Sequence, residues 1–150
     1  MKRYQPNFQI TPSKTNYYFN MRILLILALS FCIFCVFYFS WLPNPSFVNQ
    51  SYLPRWLVYW ADVYVQLRTA VPFLAIGFIL QILCNPRGFF TLKGFLCSFL
   101  VVLIAEAGQF LLPYRHPDVM DIVFGVLGTI VGMFFYYQTY KIRHLLLAKK

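Results

Sequence analysis

The chain has 150 residues, of which 60% are hydrophobic, 21% aromatic and only 11% charged, and its formal net charge is +9. These proportions exceed what a soluble domain of this size needs for its core, so they exclude a soluble globular protein and indicate a membrane chain. The positive charge does not indicate nucleic-acid binding, because the basic residues concentrate at the ends of apolar runs, where they meet anionic lipid headgroups.

The chain begins with a polar, aromatic stretch that contains two prolines, and we expect residues 1–20 to be a cytoplasmic tail. Residues 21–42 are the first predicted span. Their one charge, Arg22, lies at the edge, and at about 1.5 Å per residue the run crosses a hydrocarbon core of about 30 Å. A cleaved signal peptide is the alternative, but residues 41–43 offer no small-residue cleavage site, so we favour a retained helix.

An amphipathic segment precedes the second predicted span. Residues 43–54 are rich in turn formers and are expected to be an outer loop. In residues 55–68 one face carries Trp56 and Trp60, as in a helix that lies in the membrane interface with its tryptophans at headgroup depth. Alternatively, the same residues extend the second span, residues 69–84. Both interpretations remain open at this point.

Two further apolar runs complete the predicted membrane domain. After a turn at residues 85–88, residues 92–112 form the third span and residues 119–140 the fourth. Residues 141–150 are basic and are expected to continue helically into water. The sequence therefore predicts an all-α integral membrane four-helix bundle over residues 21–140. The lipid bilayer is expected to be its main partner.

The positions of the lysines and arginines orient this bundle. With a cytoplasmic N-terminus, ten of the thirteen basic residues lie in inner segments, and the exceptions are Arg55, Arg68 and Arg115. We interpret Arg68 as a residue that snorkels to the headgroups. Both ends of the chain are therefore expected in the cytoplasm, and the connection between the third and fourth spans is expected outside.

That connection lies in the part of the chain that is richest in acidic residues. It lies near three of the four acidic residues, which are Glu106, Asp118 and Asp121. On a helix Glu106 and Gln109 lie about 60° apart, so the third span presents a carboxylate and an amide together. Glu106 lies on the order of 10 Å inside the third span, where an ionisable group is costly and requires partners, and we expect Arg115 to be one.

The fourth span presents a carboxylate above a row of glycines. Asp121, Gly125, Gly128 and Gly132 fall within about 60° of one another on a helix. Because the polar connection to the third span is short, the two helices should be antiparallel neighbours that meet along this glycine-lined face. We expect Asp118 to cap the fourth helix and the three glycines to serve close helix packing rather than ligand binding.

These residues resemble the motif of the VanZ-like family of small bacterial membrane proteins. The family pattern is Glu-x-x-Gln, an Arg, an Asp six residues later, and small residues at helical spacing. The matching positions here are Glu106, Gln109, Arg115, Asp121, Gly128 and Gly132. Two departures are visible: Gly125 stands where the family usually has Asn, and Asp62 is followed by Val63, without the Lys and nearby His of many members.

The resemblance implies a multi-pass protein of the bacterial cytoplasmic membrane and cell envelope. The family's name member is linked to low-level resistance to teicoplanin, a lipid-tailed glycopeptide that acts on external cell-wall precursors. An outward-facing site fits this role. The cluster Glu106, Gln109, Arg115 and Asp121 is therefore expected to bind or modify a lipid-linked headgroup, with the arginine holding a phosphate or carboxylate and the acids accepting sugar or peptide donors.

Three other interpretations of the cluster are kept. One is a purely structural clasp between two helices. Another is a small transporter subunit, which would need to form a homo-oligomer to enclose a path for a transported solute or proton. It is also consistent with an enzyme in which Glu106 and Asp121 act as acid and base or bind a hard cation such as Mg²⁺. We favour a non-enzymatic role, because no nucleophile stands at motif spacing from a base and His116 is a lone turn residue.

The cysteines do not form a site. Cys32 and Cys35 have the spacing of half a zinc or redox motif, but they lie inside the first span without a second pair. Cys84 and Cys97 are also in or beside spans. We expect these four side chains to be small hydrophobic groups, and we expect neither a metal nor a cofactor.

Overall fold

The computed structural model describes residues 14–44, 46–113 and 115–148, and in these residues all regular structure is helical. The five helices are α1 (Lys14–Ser40), α2 (Arg55–Val63), α3 (Val65–Cys84), α4 (Leu92–Gln109) and α5 (Val119–Ala148). In the part of the chain that the structure describes, four segments are long and apolar enough to cross a membrane, namely Phe19–Ser40, Val65–Cys84, Leu92–Gln109 and Val119–Ala148. The predicted all-α membrane bundle is confirmed.

The helices differ from the predicted spans at their ends. Helix α1 begins at Lys14, so the last seven residues of the expected tail are helical; no proline interrupts them, and residues 1–13 lie outside the described residues. Helix α4 ends at Gln109, three residues early, because residues 110–112 tighten into turns that precede Pro113. Helix α5 continues to Ala148, so the described part of the basic tail is helical.

The amphipathic segment before the second span divides into two helices. Tyr64 breaks the helix with φ −110° and ψ 61°, and its N–H donates to the carbonyl oxygen of Trp60. Residues 55–63 therefore form a helix of their own, whereas residues 65–68 begin the second span. The segment is therefore a separate helix in its first part and an extension of the second span in its last part. The exposed fraction of Trp56 is 71%. Its position at headgroup depth in the membrane interface stays a prediction.

The closest packing in the bundle joins α3 to α5. A Cβ atom on Gly128 would collide with the carbonyl oxygen of Ala70, and one on Gly132 would collide with that of Leu74. A Cβ on Gly77 of α3 would in turn meet the backbone of Thr129. Glycine at these three positions therefore lets two backbones touch, as in membrane helix pairs with small residues.

This packing corrects the prediction that the glycine face lies against the third span. Helix α4 is the antiparallel neighbour of α5, and Ser98 and Thr129 share a buried hydrogen bond of 2.6 Å between them. However, only Gly125 faces α4, where a Cβ would meet Val102. The close contacts fall instead along one face of α3, at Ala70, Leu74 and Gly77.

The buried core lies among α1, α3 and α4. It contains Val36, Phe73, Ile76, Leu80, Val102 and Ala105. At one end of the bundle Tyr136 donates to the carbonyl oxygen of Pro86 in the α3–α4 connection. At the opposite end, the α1–α2 and α4–α5 connections meet, since Arg115 donates to the carbonyl oxygen of Leu42. The candidate site lies at this second end.

Candidate functional site

A cavity of about 250 Å³ opens among the helices at the end where the α1–α2 and α4–α5 connections meet. All four residues of the predicted cluster line it: Glu106, Gln109, Arg115 and Asp121. They come from α4, α5 and the connection between them, so the short polar turn does bring them together. The rest of the wall is mainly apolar and comes from α1, α2, α3, α4 and the α1–α2 connection.

Glu106 is held by two donors inside the protein. Its side chain is only 5% exposed. Oε1 accepts a hydrogen bond of 3.0 Å from Nε2 of Gln109, and Oε2 accepts one of 3.1 Å from the backbone N–H of Asp118. The three-residue spacing makes Glu106 and Gln109 helix neighbours. A carboxyl group at this depth is therefore tolerated because both of its oxygens have partners.

Gln109 extends this network to α1. Its Nε2 also donates to Oγ of Ser40 at 3.1 Å, while Ser40 Oγ and Trp41 Nε1 both donate to the carbonyl oxygen of Ala105. The indole of Trp41 occupies the space where Gly108 lacks a side chain. The end of α1 is thus fixed against α4 directly beside the cavity.

Asp121 is attached to α3 rather than to α4. Its Oδ1 accepts a hydrogen bond of 2.8 Å from Oγ1 of Thr69, and the first turn of α5 suits a negative charge because of the helix dipole. Among the described residues, Oδ2 of Asp121 makes no hydrogen bond, so it retains acceptor capacity. Asp118 has the contact expected of an N-cap, since its Oδ1 accepts from the N–H of Met120 at 2.8 Å.

Arg115 contacts the end of α1 instead of Glu106. Its Nε donates to the carbonyl oxygen of Leu42 at 2.9 Å and its Nη2 donates to that of Phe39 at 3.2 Å. No ion pair between Arg115 and a carboxylate is found in the described part of the chain, so the prediction that Arg115 is a direct partner of Glu106 is wrong. The last carbonyl groups of a helix lack intrahelical donors, and the guanidinium supplies them. Burial, followed by the charge of Arg68, lowers the pKa of Arg115.

Arg68 and Thr69 on α3 are cavity residues that the sequence did not indicate. The side chain of Arg68 is 17% exposed, its Nη1 lies 3.8 Å from Oδ1 of Asp62, and its guanidinium lies 4.7 Å above the ring of Phe47. Asp62 also accepts from Oγ of Ser46 at 2.7 Å and from the N–H of Phe47. The signal that could have found Arg68 is its place at the first turn of a span, on the same side of the membrane as the cluster.

Metal ligation is not evident in this site. Within residues 14–44, 46–113 and 115–148, no three His, Cys, Asp or Glu side chains are grouped as a metal would require. The four cysteines are free thiols, and one of them, Cys35, contributes to the apolar part of the cavity wall. The chemistry that this arrangement offers is hydrogen bonding and charge pairing with a ligand.

Comparisons with known proteins agree with the sequence motif. The family model described as VanZ/LLP1 matches residues 22–143, which include every residue that lines the cavity and most or all of each span. No curated protein and no solved structure matches the chain.

Proposed function

The chain belongs to the VanZ-like family and is a multi-pass membrane protein, and we propose that its cavity binds the headgroup of a lipid-linked molecule of the bacterial cell envelope. One observation carries this proposal. Glu106, Gln109, Arg115 and Asp121 come from two helices and a connection, yet they line a single cavity whose other walls are largely apolar. A polar cluster inside an apolar wall suits an amphiphile better than it suits a fully water-soluble ligand.

The hydrogen bonds that remain available support a ligand role. Oδ2 of Asp121 has no donor among the described residues, and Nη1 of Arg115 has no acceptor there. An acceptor and a cationic donor in one cavity match a headgroup that carries both an anion and a hydroxyl or amine. Glu106 has a different part in this scheme, because both of its oxygens hold the protein together around the cavity.

The charge distribution supports an outward-facing site in the cytoplasmic membrane. The end of the bundle that holds the cavity carries Arg55, Arg68 and Arg115, whereas the ten other basic residues belong to the tails and the opposite end. Ligands from the outer leaflet would reach the cavity in this orientation. Lipid-linked cell-wall precursors and lipid-tailed glycopeptides are the two classes of molecule that the family resemblance suggests.

Drug susceptibility tests this function in a host that expresses the chain. We expect lower susceptibility to teicoplanin, no change for unlipidated vancomycin, and loss of the effect in Glu106→Gln and Asp121→Asn variants. His116→Gln is the control, because His116 is an exposed residue beside the cavity. All variants are compared at equal membrane levels. Equal susceptibility of the wild type and the empty host to teicoplanin would contradict the resistance role.

A structural clasp is the second candidate function for the cluster. It is favoured by the two bonded oxygens of Glu106 and by the three carbonyl groups bound by Arg115, since these contacts join α1, the α1–α2 connection, α4 and the residue before α5. In that case Glu106→Gln and Asp121→Asn would reduce the amount of folded protein in the membrane. Normal levels with lost phenotype support the binding site instead.

A further inference from the structure

We propose that Arg68 binds the ligand together with Arg115, and that the headgroup held in the cavity carries a phosphate. This inference rests on the proposed function, because it names the class of ligand for the same cavity. It adds a residue of α3 to a site that the sequence motif confines to α4, α5 and their connection.

The position of Arg68 is unusual for an arginine at the end of a span. Such residues normally extend to the headgroups, but this side chain is only 17% exposed and lines the cavity. Its guanidinium lies over the ring of Phe47, with Cζ 4.7 Å from the ring centroid. Arginine is the side chain that combines contact with an aromatic face and bidentate hydrogen bonding to a phosphate.

A second guanidinium lines the same cavity. Arg115 reaches it from the α4–α5 connection, and its Nε and Nη2 donate to carbonyl oxygens of the α1–α2 connection and of α1. Burial and then the charge of Arg68 lower the pKa of Arg115, while the charges of Asp121 and Glu106 act in the opposite direction, so the two cations and the acids lie close enough to interact. An anion between two such cations relieves the repulsion between them, and burial strengthens the attraction because little water screens it.

The acidic residues around the cavity indicate which other polar group the ligand carries. The oxygens of Glu106 accept from Gln109 and from the backbone N–H of Asp118, and neither forms an ion pair with Arg115. Asp121 keeps one oxygen without a donor in the part of the chain that the structure describes, and this oxygen suits a hydroxyl or amine of the ligand. A phosphate ester with a neighbouring hydroxyl or amine, attached to a lipid, matches this cavity. Its phosphate can contact the two arginines, its hydroxyl or amine can donate to Asp121, and its lipid can lie against the apolar wall.

Direct lipid binding to the purified full chain tests this inference. The probes are phosphatidylglycerol, diacylglycerol, which lacks the phosphate, and inorganic phosphate, which lacks the lipid. We expect the wild type to prefer phosphatidylglycerol over both others. Arg68→Gln should weaken that binding about tenfold or more, Arg68→Lys should weaken it less, and Arg55→Gln, which changes an exposed arginine on α2, should leave it unchanged.

A further variant distinguishes ligand contact from a structural role of Arg68. Asp62→Asn removes the ion-pair partner of Arg68 but keeps an oxygen that can accept from Ser46 and Phe47. If Arg68 binds the phosphate, this variant retains binding of phosphatidylglycerol. If Arg68 only anchors the α1–α2 connection, Asp62→Asn and Arg68→Gln lose binding and thermal stability to the same extent, and the inference is overturned.

The failure of this inference can be told apart from failure of the proposed function. Equal binding of diacylglycerol and phosphatidylglycerol, abolished by Asp121→Asn, would overturn the phosphate while the cavity remained a lipid site. Binding of inorganic phosphate as tight as that of the lipid would overturn the assignment to a lipid. Binding of every lipid that is unchanged in Asp121→Asn would overturn both.

Discussion

Thr69 Oγ1 donates a hydrogen bond of 2.8 Å to Asp121 Oδ1, and this contact joins the top of α3 to the first turn of α5 beside the cavity. The hydroxyl occupies one oxygen of the carboxylate and thereby orients the other. In Thr69→Val that orientation is lost at nearly constant volume. We expect weaker ligand binding by about 0.5–2 kcal/mol, measured as lipid affinity, with the control Thr69→Ser close to wild type. Unchanged affinity in Thr69→Val would mean that Asp121 does not contact the ligand.

The α3–α5 packing predicts a strong effect of bulk at one glycine. In Gly132→Leu the new side chain would collide with the backbone of Leu74 and Phe78, so α3 and α5 must separate. We expect the free energy of unfolding to fall by about 1–3 kcal/mol and the protein to be less monodisperse in detergent. The control is Val131→Leu on the same helix, where the side chain is 40% exposed and space is available. Equal stability of the two variants would contradict this packing.

Arg115 should stabilise the end of α1 as well as bind ligand. Arg115→Gln removes the donors to the carbonyl oxygens of Phe39 and Leu42. Since partly buried acceptors lose a charged donor, we expect the midpoint of thermal unfolding to fall, by an amount that corresponds to about 1–3 kcal/mol. His116→Gln, which changes the exposed neighbour, should leave the midpoint unchanged. A stable Arg115→Gln protein would show that these carbonyl contacts contribute nothing to stability.

The buried pair Ser98 and Thr129 couples α4 to α5 below the cavity. Their hydroxyl groups are 2.6 Å apart, and Thr129 also donates to the carbonyl oxygen of Gly125. A double-mutant cycle with Ser98→Ala and Thr129→Val should give a coupling energy of about 0.5–2 kcal/mol, in the range of hydrogen bonds between membrane helices. Additive effects of the two substitutions would show that the pair does not stabilise the interface.

Much of this architecture could be predicted from the sequence. Four apolar runs with basic ends gave four spans, because a helix that crosses a hydrocarbon core needs about 20 apolar residues. The cavity residues Glu106 and Gln109 are helix neighbours by spacing, and the short polar connection to Asp121 forces the two helix ends together. These features depend on local geometry, so the chain order determines them.

The remaining features depend on contacts between distant segments. The glycines of α5 could have faced α3 or α4, since both spans carry small residues, and only the folded structure shows that they face α3. The partners of Arg115 are backbone carbonyl groups, which no side-chain pattern reveals. The sequence predicts a snorkelling Arg68, whereas its burial depends on how the α1–α2 connection places Phe47 against it.

In the proposed function, the cavity lined by Glu106, Gln109, Arg115 and Asp121 receives a lipid headgroup. A phosphatidylglycerol analogue that carries a photoreactive group in its headgroup can be cross-linked to the protein to locate this contact. Mass spectrometry of the labelled protein should place the adducts on cavity residues, and Asp121→Asn should remove most of them. Adducts spread over the exposed surface of α1, for example at Phe31 and Phe34, and unchanged by Asp121→Asn would contradict the account.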